Sequence, residues 1–114
     1  MAQYLLQLNY TSEAWASLLA SPQDRGKSVE SAIQALGGKM QQFWMSLGDY
    51  DIAGIVEMPD TVSAAAFSMA IRAGGACRNV KTTPLLAMGE AIDAMRKAAT
   101  CGYKPVTASK KAQV

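Results

Sequence analysis

The sequence predicts an α+β fold. The plan is ferredoxin-like βαββαβ: a four-stranded antiparallel sheet, a broken first crossover helix and an extra C-terminal helix. Three observations lead there. Several segments alternate apolar and polar residues with the strand period. Segments with apolar residues at helical spacing lie between them and stop at glycine pairs. A Gly-Asp turn joins the two middle strands, which makes them antiparallel neighbours.

Each element follows in order. From Gln3 to Tyr10, the side chains Tyr4, Leu6, Leu8 and Tyr10 share one face, and Gln3, Leu5, Gln7 and Asn9 the other. Thr11 to Ser21 reads as a short helix capped by Thr11 or Ser12, with Trp15, Leu18 and Leu19 at helical spacing. Ser21-Pro22-Gln23-Asp24 reads as a second helix start, with serine at the cap and proline at the first helical position. Val29, Ile33 and Leu36 follow on one stripe, and Gly37-Gly38 stops the helix.

Lys39 to Leu47 reads as the second strand. Its alternation puts Met40, Gln42, Trp44 and Ser46 on one face and Gln41, Phe43, Met45 and Leu47 on the other. Gly48-Asp49-Tyr50 is expected to form a tight turn, using the positive φ that Gly and Asp tolerate. Asp51 to Met58 is the third strand, and Asp60 caps the helix Thr61 to Ala73. That helix is apolar nearly all round, so it is expected to be covered on more than one side. The fourth strand is expected over Cys77 to Thr83, with Pro84 disturbing its end. Met88 to Thr100 is a final helix with a Met88, Ile92, Met95 stripe. Residues 1–100 thus form one domain, and 101–114 a polar, flexible tail.

Helices cover one sheet face. The other carries Leu5, Trp44 or Phe43, and Ile55 or Val56, too apolar for water. A second copy facing it would bury both sheets, so a homodimer is expected, and exposed Trp15 or Met88 stripes leave higher assembly open.

Composition narrows the function. The chain has 114 residues, half of them hydrophobic, and no histidine. A core of its own is affordable at this length. Catalysis by Ser-His-Asp or Cys-His and zinc held by histidine are excluded in this polypeptide. Eleven basic and nine acidic residues give a net charge of +2, dispersed apart from Lys104, Lys110 and Lys111, so no nucleic-acid partner is expected. Cys77 and Cys101 cannot make a four-ligand zinc site, and inert thiols are expected. Met1 to Tyr10 lacks a signal pattern, and the uncharged stretch Thr61 to Ile71 falls short of the about 20 residues a bilayer needs. A cytoplasmic protein with no membrane partner is the expectation. No phosphate loop or metal constellation is present in the sequence, so neither a metal nor a cofactor is expected.

An ordered set of motifs carries a resemblance. Leu36-Gly37-Gly38-Lys39, Phe43-Trp44, Leu47-Gly48-Asp49-Tyr50-Asp51 and Val56-Glu57-Met58-Pro59-Asp60 together resemble the GYD-domain family. The runs Ser63 to Ala66 and Val80 to Leu86 add to it, and the similarity covers Tyr4 to Ala98. The resemblance implies a ferredoxin-like fold of the dimeric α/β-barrel group. It implies no chemistry, because that architecture hosts cofactor-less monooxygenases, lactone isomerases, polyketide cyclases, haem-degrading enzymes and ligand sensors.

Several residues are candidates for a site. Asp51, at a strand start beside the turn, either accepts loop N–H groups or points into a barrel mouth as a general base. Tyr50 either packs its ring or serves as an electrophilic partner. Arg78 and Lys81 on the fourth strand suit an anionic or enolate-bearing ligand, or are solvated rim charges like Lys39 and Glu57. The strand amides Gln7, Asn9 and Gln42 either bond across the dimer or line a pocket, and Trp44 is core, interface or stacking platform. A small-molecule-binding protein ranks above a purely structural one, and the sequence leaves open whether it is an enzyme or a sensor.

Overall fold

In the computed structural model, which describes residues 1–106, the chain runs β1 (Ala2–Tyr10), α1 (Ser12–Ala20), α2 (Gly26–Ala35), β2 (Lys39–Met45), β3 (Ile52–Met58), α3 (Thr61–Ala73), β4 (Cys77–Leu85) and α4 (Met88–Ala98). It is an α+β chain with an open, four-stranded antiparallel sheet of order β2-β3-β1-β4. The α1–α2 segment carries the chain past β1 to the far edge, and β3 returns between β2 and β1. α3 then crosses to place β4 on the other side of β1.

Alternation in β1 decides which face is covered. Tyr4, Leu6, Leu8 and Tyr10 are buried, as are Ile52, Val56 and Met58 of β3 and Val80 of β4. The register makes these one surface, with Leu6 opposite Gly54 and Leu8 opposite both Ile52 and Val80. α2 supplies Ile33 and α3 supplies Ala64 and Phe67 to the same core. Removing a side chain the size of Phe67 or Ile33 from water stabilises by about 1.5–3 kcal/mol. α1 begins on Thr11, whose Oγ1 accepts the Ala14 N–H at 3.1 Å. α3 begins on Asp60, whose carboxylate accepts the Ser63 N–H at 2.7 Å. That bond holds the Asp60 carboxyl below its ordinary value.

The opposite face is bare. Gln3, Leu5 and Gln7 of β1 lie beside Glu57, Ile55 and Ala53 of β3. Leu85, Thr83 and Lys81 of β4 lie along the other side of β1. Gln42 and Trp44 of β2 complete the face, with Trp44 53% exposed.

The structure corrects five expectations. First, β2 does not alternate regularly. A bulge between Met40 and Gln42 adds one residue, so Met40, opposite Val56, shares the covered face with Phe43, opposite Gly54. This settles the two pairs left open: Trp44 and Ile55 are on the bare face, and Phe43 and Val56 on the covered one. Second, the β2–β3 connection is not a tight turn. It spans residues 46–51, closed by Ser46 N–H to Asp51 O at 2.7 Å, and Gly48 is not among the positive-φ glycines. A loop of that length turns the chain without a left-handed glycine. Third, α2 starts at Gly26 rather than at Pro22. Asp24 folds the chain on itself by accepting the Gly26 N–H at 2.8 Å, which delays the helix. Fourth, β4 runs through Pro84 to Leu85, because an edge strand uses only one side of its backbone and the missing N–H is tolerated there. Fifth, α3 is covered on one side only within the chain, with Val62 and Met69 exposed.

The helix stops behave as expected at Gly37 and Gly75, with φ of 84° and 78°. α4 has no buried residue, and its Met88, Ile92 and Met95 are exposed. Among the described residues, no helix is long and apolar enough to cross a membrane. Residues 102–106 form no helix or strand. The rest of the expected tail, with Lys110 and Lys111, lies outside the described residues.

Candidate functional site

β1 delivers Tyr10 to the end of the sheet, where Thr11 turns the chain into α1. The first turn of α1 carries Trp15 back over Tyr10. The two rings meet edge to face at 5.4 Å and 83°. Asp51 sits beneath both. Its Oδ2 accepts the Tyr10 backbone N–H at 2.8 Å and the Trp15 Nε1–H at 3.3 Å. Its own N–H donates to Leu8 O at 2.9 Å. Asp51 therefore ties the β2–β3 loop, the end of β1 and the start of α1 together.

Two clefts open on the covered side of the sheet and meet at Tyr10 and Arg25. One, of about 330 Å³, lies between α1, the 22–26 segment and the end of β2, walled by Trp15, Leu18, Phe43 and Met45. The other, of about 280 Å³, lies between α2, α3 and the start of β4, walled by Leu8, Val29, Phe67 and Ile71. Their size is near the lower end for small-molecule sites, which begin at about 300 Å³. The walls are mostly apolar, with a few polar groups.

Those polar groups are unevenly satisfied. Tyr10 is 8% exposed, and its hydroxyl has no hydrogen-bond partner among the described residues. Burial pushes the Tyr10 phenol above its ordinary value; the nearby Cys77 and Asp51 add to this and Arg25 opposes it. Burial likewise raises the Cys77 thiol, with Arg25 opposing and Asp51 adding. Both groups are thus protonated at neutral pH, and the Cys77 thiol is a poor nucleophile there. Among the described residues, Arg25 Nη1 donates only to neutral oxygens, Gln23 Oε1 and Ser28 Oγ, each at 3.3 Å. The one ion pair among the described residues is far away, between Arg96 and Asp93 at 3.4 Å. Among the described residues, no group of three or more Cys, Asp and Glu side chains is arranged to hold a metal.

The residues singled out in the sequence divide between two faces. Gln7, Trp44 and Lys81 lie together on the bare face, Gln7 beside Lys81 on one side and Ala53 on the other, and Ala53 beside Trp44. Asn9 is there too but is 3% exposed and hydrogen-bonded on both sides of its amide. It donates to Asp49 O at 2.9 Å and accepts from Asn79 Nδ2 at 3.2 Å, pinning the β2–β3 loop to β4. Arg78 is exposed within the register shift between the Asn9–Asn79 and Tyr10–Cys77 pairs. Tyr50 is half-buried in the β2–β3 loop. Only Asp51 reaches the residues of the clefts. Sequence reading missed Tyr10 and Arg25 as site residues. Tyr10 carried one signal: a phenol at the last inward position of a strand needs a partner for its hydroxyl. Arg25 carried none, since its position follows from the delayed start of α2.

The chain's class is set by this α+β plan together with the family comparison. The GYD domain model matches residues 4–95. The chain therefore belongs to the GYD-domain family. No curated protein and no solved structure matches it.

Proposed function

We propose that this GYD-domain chain is a small-molecule-binding protein that works as a homodimer on a ferredoxin-like, dimeric α/β-barrel plan. The observation that carries the binding reading is the pair of apolar clefts converging on the buried Tyr10, whose hydroxyl has no partner among the described residues, and on the exposed Arg25. Buried polar groups are normally satisfied, and a donor left over in an apolar wall is a place for a ligand atom. In this reading Asp51 is a positioning residue that fixes Tyr10 and Trp15. Tyr50 stands beside it in the loop. If the bound molecule is also turned over, Asp51, held against Tyr10 and Trp15 behind the cleft walls, is the candidate base.

The bare face supports the dimer. Leu5, Ile55 and Trp44 form an apolar strip bordered by Gln3, Gln7, Gln42 and Lys81, the pattern of an apolar centre within a polar rim. Gln7 and Lys81 are then interface groups. Light scattering at micromolar concentration is expected to give twice the chain mass, and Ile55→Glu to give the monomer. A monomeric wild type overturns the dimer. For the clefts, ¹⁵N-labelled protein is screened with a mixed library of small neutral and charged compounds. Shifts are expected at Trp15, Phe43, Ile71 and Cys77. Shifts confined to Gln7, Trp44 and Lys81, or none at all, overturn the binding reading.

A further inference from the structure

The two clefts differ in charge. The first is lined by Asp24 as well as Arg25, and Asp24 places a carboxylate against the guanidinium's field. The second has Arg25 and no carboxylate in its lining. Its remaining polar side chains are Tyr10, Ser28 and Cys77. Each offers a proton. Tyr10 is buried as a residue, and its hydroxyl is unpartnered among the described residues and held protonated by its surroundings. The Ser28 Oγ already accepts from Arg25 Nη1 at 3.3 Å, so its O–H is left to donate outward. The rest of the lining is hydrocarbon: Leu8, Val29, Phe67 and Ile71.

We infer that the second cleft, between α2 and α3, binds a small carboxylate with a compact apolar body, its charge on Arg25 and the Tyr10 hydroxyl. A cationic guanidinium and two hydroxyl donors, with no carboxylate in the lining and Asp51 already accepting from the Tyr10 and Trp15 N–H groups, match an anionic oxygen pair, and a bond to a charged group is the stronger kind. A cation would meet Arg25 directly. A neutral amide would leave the guanidinium unmatched. The apolar body lies against Phe67 and Ile71, where contact with water is lost. This inference rests on the proposed binding function and specifies its ligand class and its cleft.

The test uses the full-length chain and two probes of one shape, 3-phenylpropanoate and 3-phenylpropanamide. Both are titrated into ¹⁵N-labelled protein at low and at physiological salt. The acid is expected to shift the Ile71 and Cys77 amides and leave the Trp15 indole N–H, which reports the first cleft. Its affinity is expected to exceed the amide's by about tenfold, as one bond to a charged group gives. Added salt is expected to narrow the gap. Arg25→Gln, at an exposed position, is expected to abolish the preference, and Tyr10→Phe to reduce it. Equal binding of acid and amide, shifts at Trp15 instead, or an unchanged preference in Arg25→Gln overturns this inference while the binding function stands. No binding of either probe overturns this inference, and no cleft shifts from the mixed library overturn both.

Discussion

Asp51 shows how a single side chain organises one end of this protein. One carboxylate oxygen takes two N–H groups, from Tyr10 and from Trp15, which belong to different elements. Asp51→Ala leaves the half-buried Tyr10 N–H without its acceptor. Urea unfolding is expected to show a loss of about 1–3 kcal/mol. The Trp15 fluorescence is expected to move to the red as the indole loses its partner. Tyr10 and Cys77 give the residue scale a pH signature. Both have folded values raised above their ordinary ones, Tyr10 from 10.0 and Cys77 from 9.0. The stability they contribute is therefore fully present below those ordinary values and is lost as pH rises through the folded ones. The melting temperature is expected to fall as pH climbs above about 9, and Cys77→Ala and Tyr10→Phe each to flatten that fall. An alkaline limb unchanged in both variants would rule out these groups as its source. Asp51 was legible from its place beside the turn, though the acceptor role went to β1 and α1 rather than to the loop. Arg25 was not legible, because nothing local marks a residue whose importance comes from two clefts meeting there.

At the scale of elements, the glycines after α2 do different things. Gly37 adopts a φ of 84°, which a side chain makes costly. Gly38 has an ordinary φ but no room. A Cβ there would lie 2.5 Å from Glu57 O and 2.9 Å from Ile33 Cγ2, and would also strike Met58 Sδ. Gly37→Ala is expected to cost about 1 kcal/mol. Gly38→Ala is expected to cost about 3 kcal/mol, since a backbone carbonyl cannot step aside as a side chain can. Chemical denaturation of both variants checks the order. The elements themselves were largely legible: periodicity located all four strands and α1, α3 and α4 to within a few residues. It failed where one residue changes the count. The bulge in β2 reverses the faces on either side of it, and a period-of-two reading from Lys39 onward has no means of seeing this. The delayed start of α2 failed for a different reason. Ser21-Pro22 is a sound helix opening, but Asp24 competes for the same backbone and wins.

For the molecule as a whole, the fold leaves one sheet face covered and one bare, and the covered side holds two clefts rather than a filled layer. The alternation of β1 alone foretold the two faces, because Tyr4, Leu6, Leu8 and Tyr10 are unbroken on one side. The clefts were not foretold. The first arises from the break between α1 and α2, which leaves the sheet end between them incompletely covered, and the second from the gap between α2 and α3. Shortening that break tests the link. Deleting Pro22 and Gln23 is expected to draw α1 towards α2 and reduce binding of a ligand in the first cleft while the far-ultraviolet dichroism changes little.

The two outer strands of the open sheet carry a further consequence. An uncapped sheet is a template for more strands, and runaway stacking of chains edge to edge is its hazard. Here β2 is interrupted by its bulge, and β4 carries Pro84 with exposed Arg78 and Lys81 along it. Both borders are thus spoiled as templates, while the broad surface between them is left smooth. Growth by fibril-like addition is discouraged at each side, and the bare face is left as the surface for the proposed homodimer.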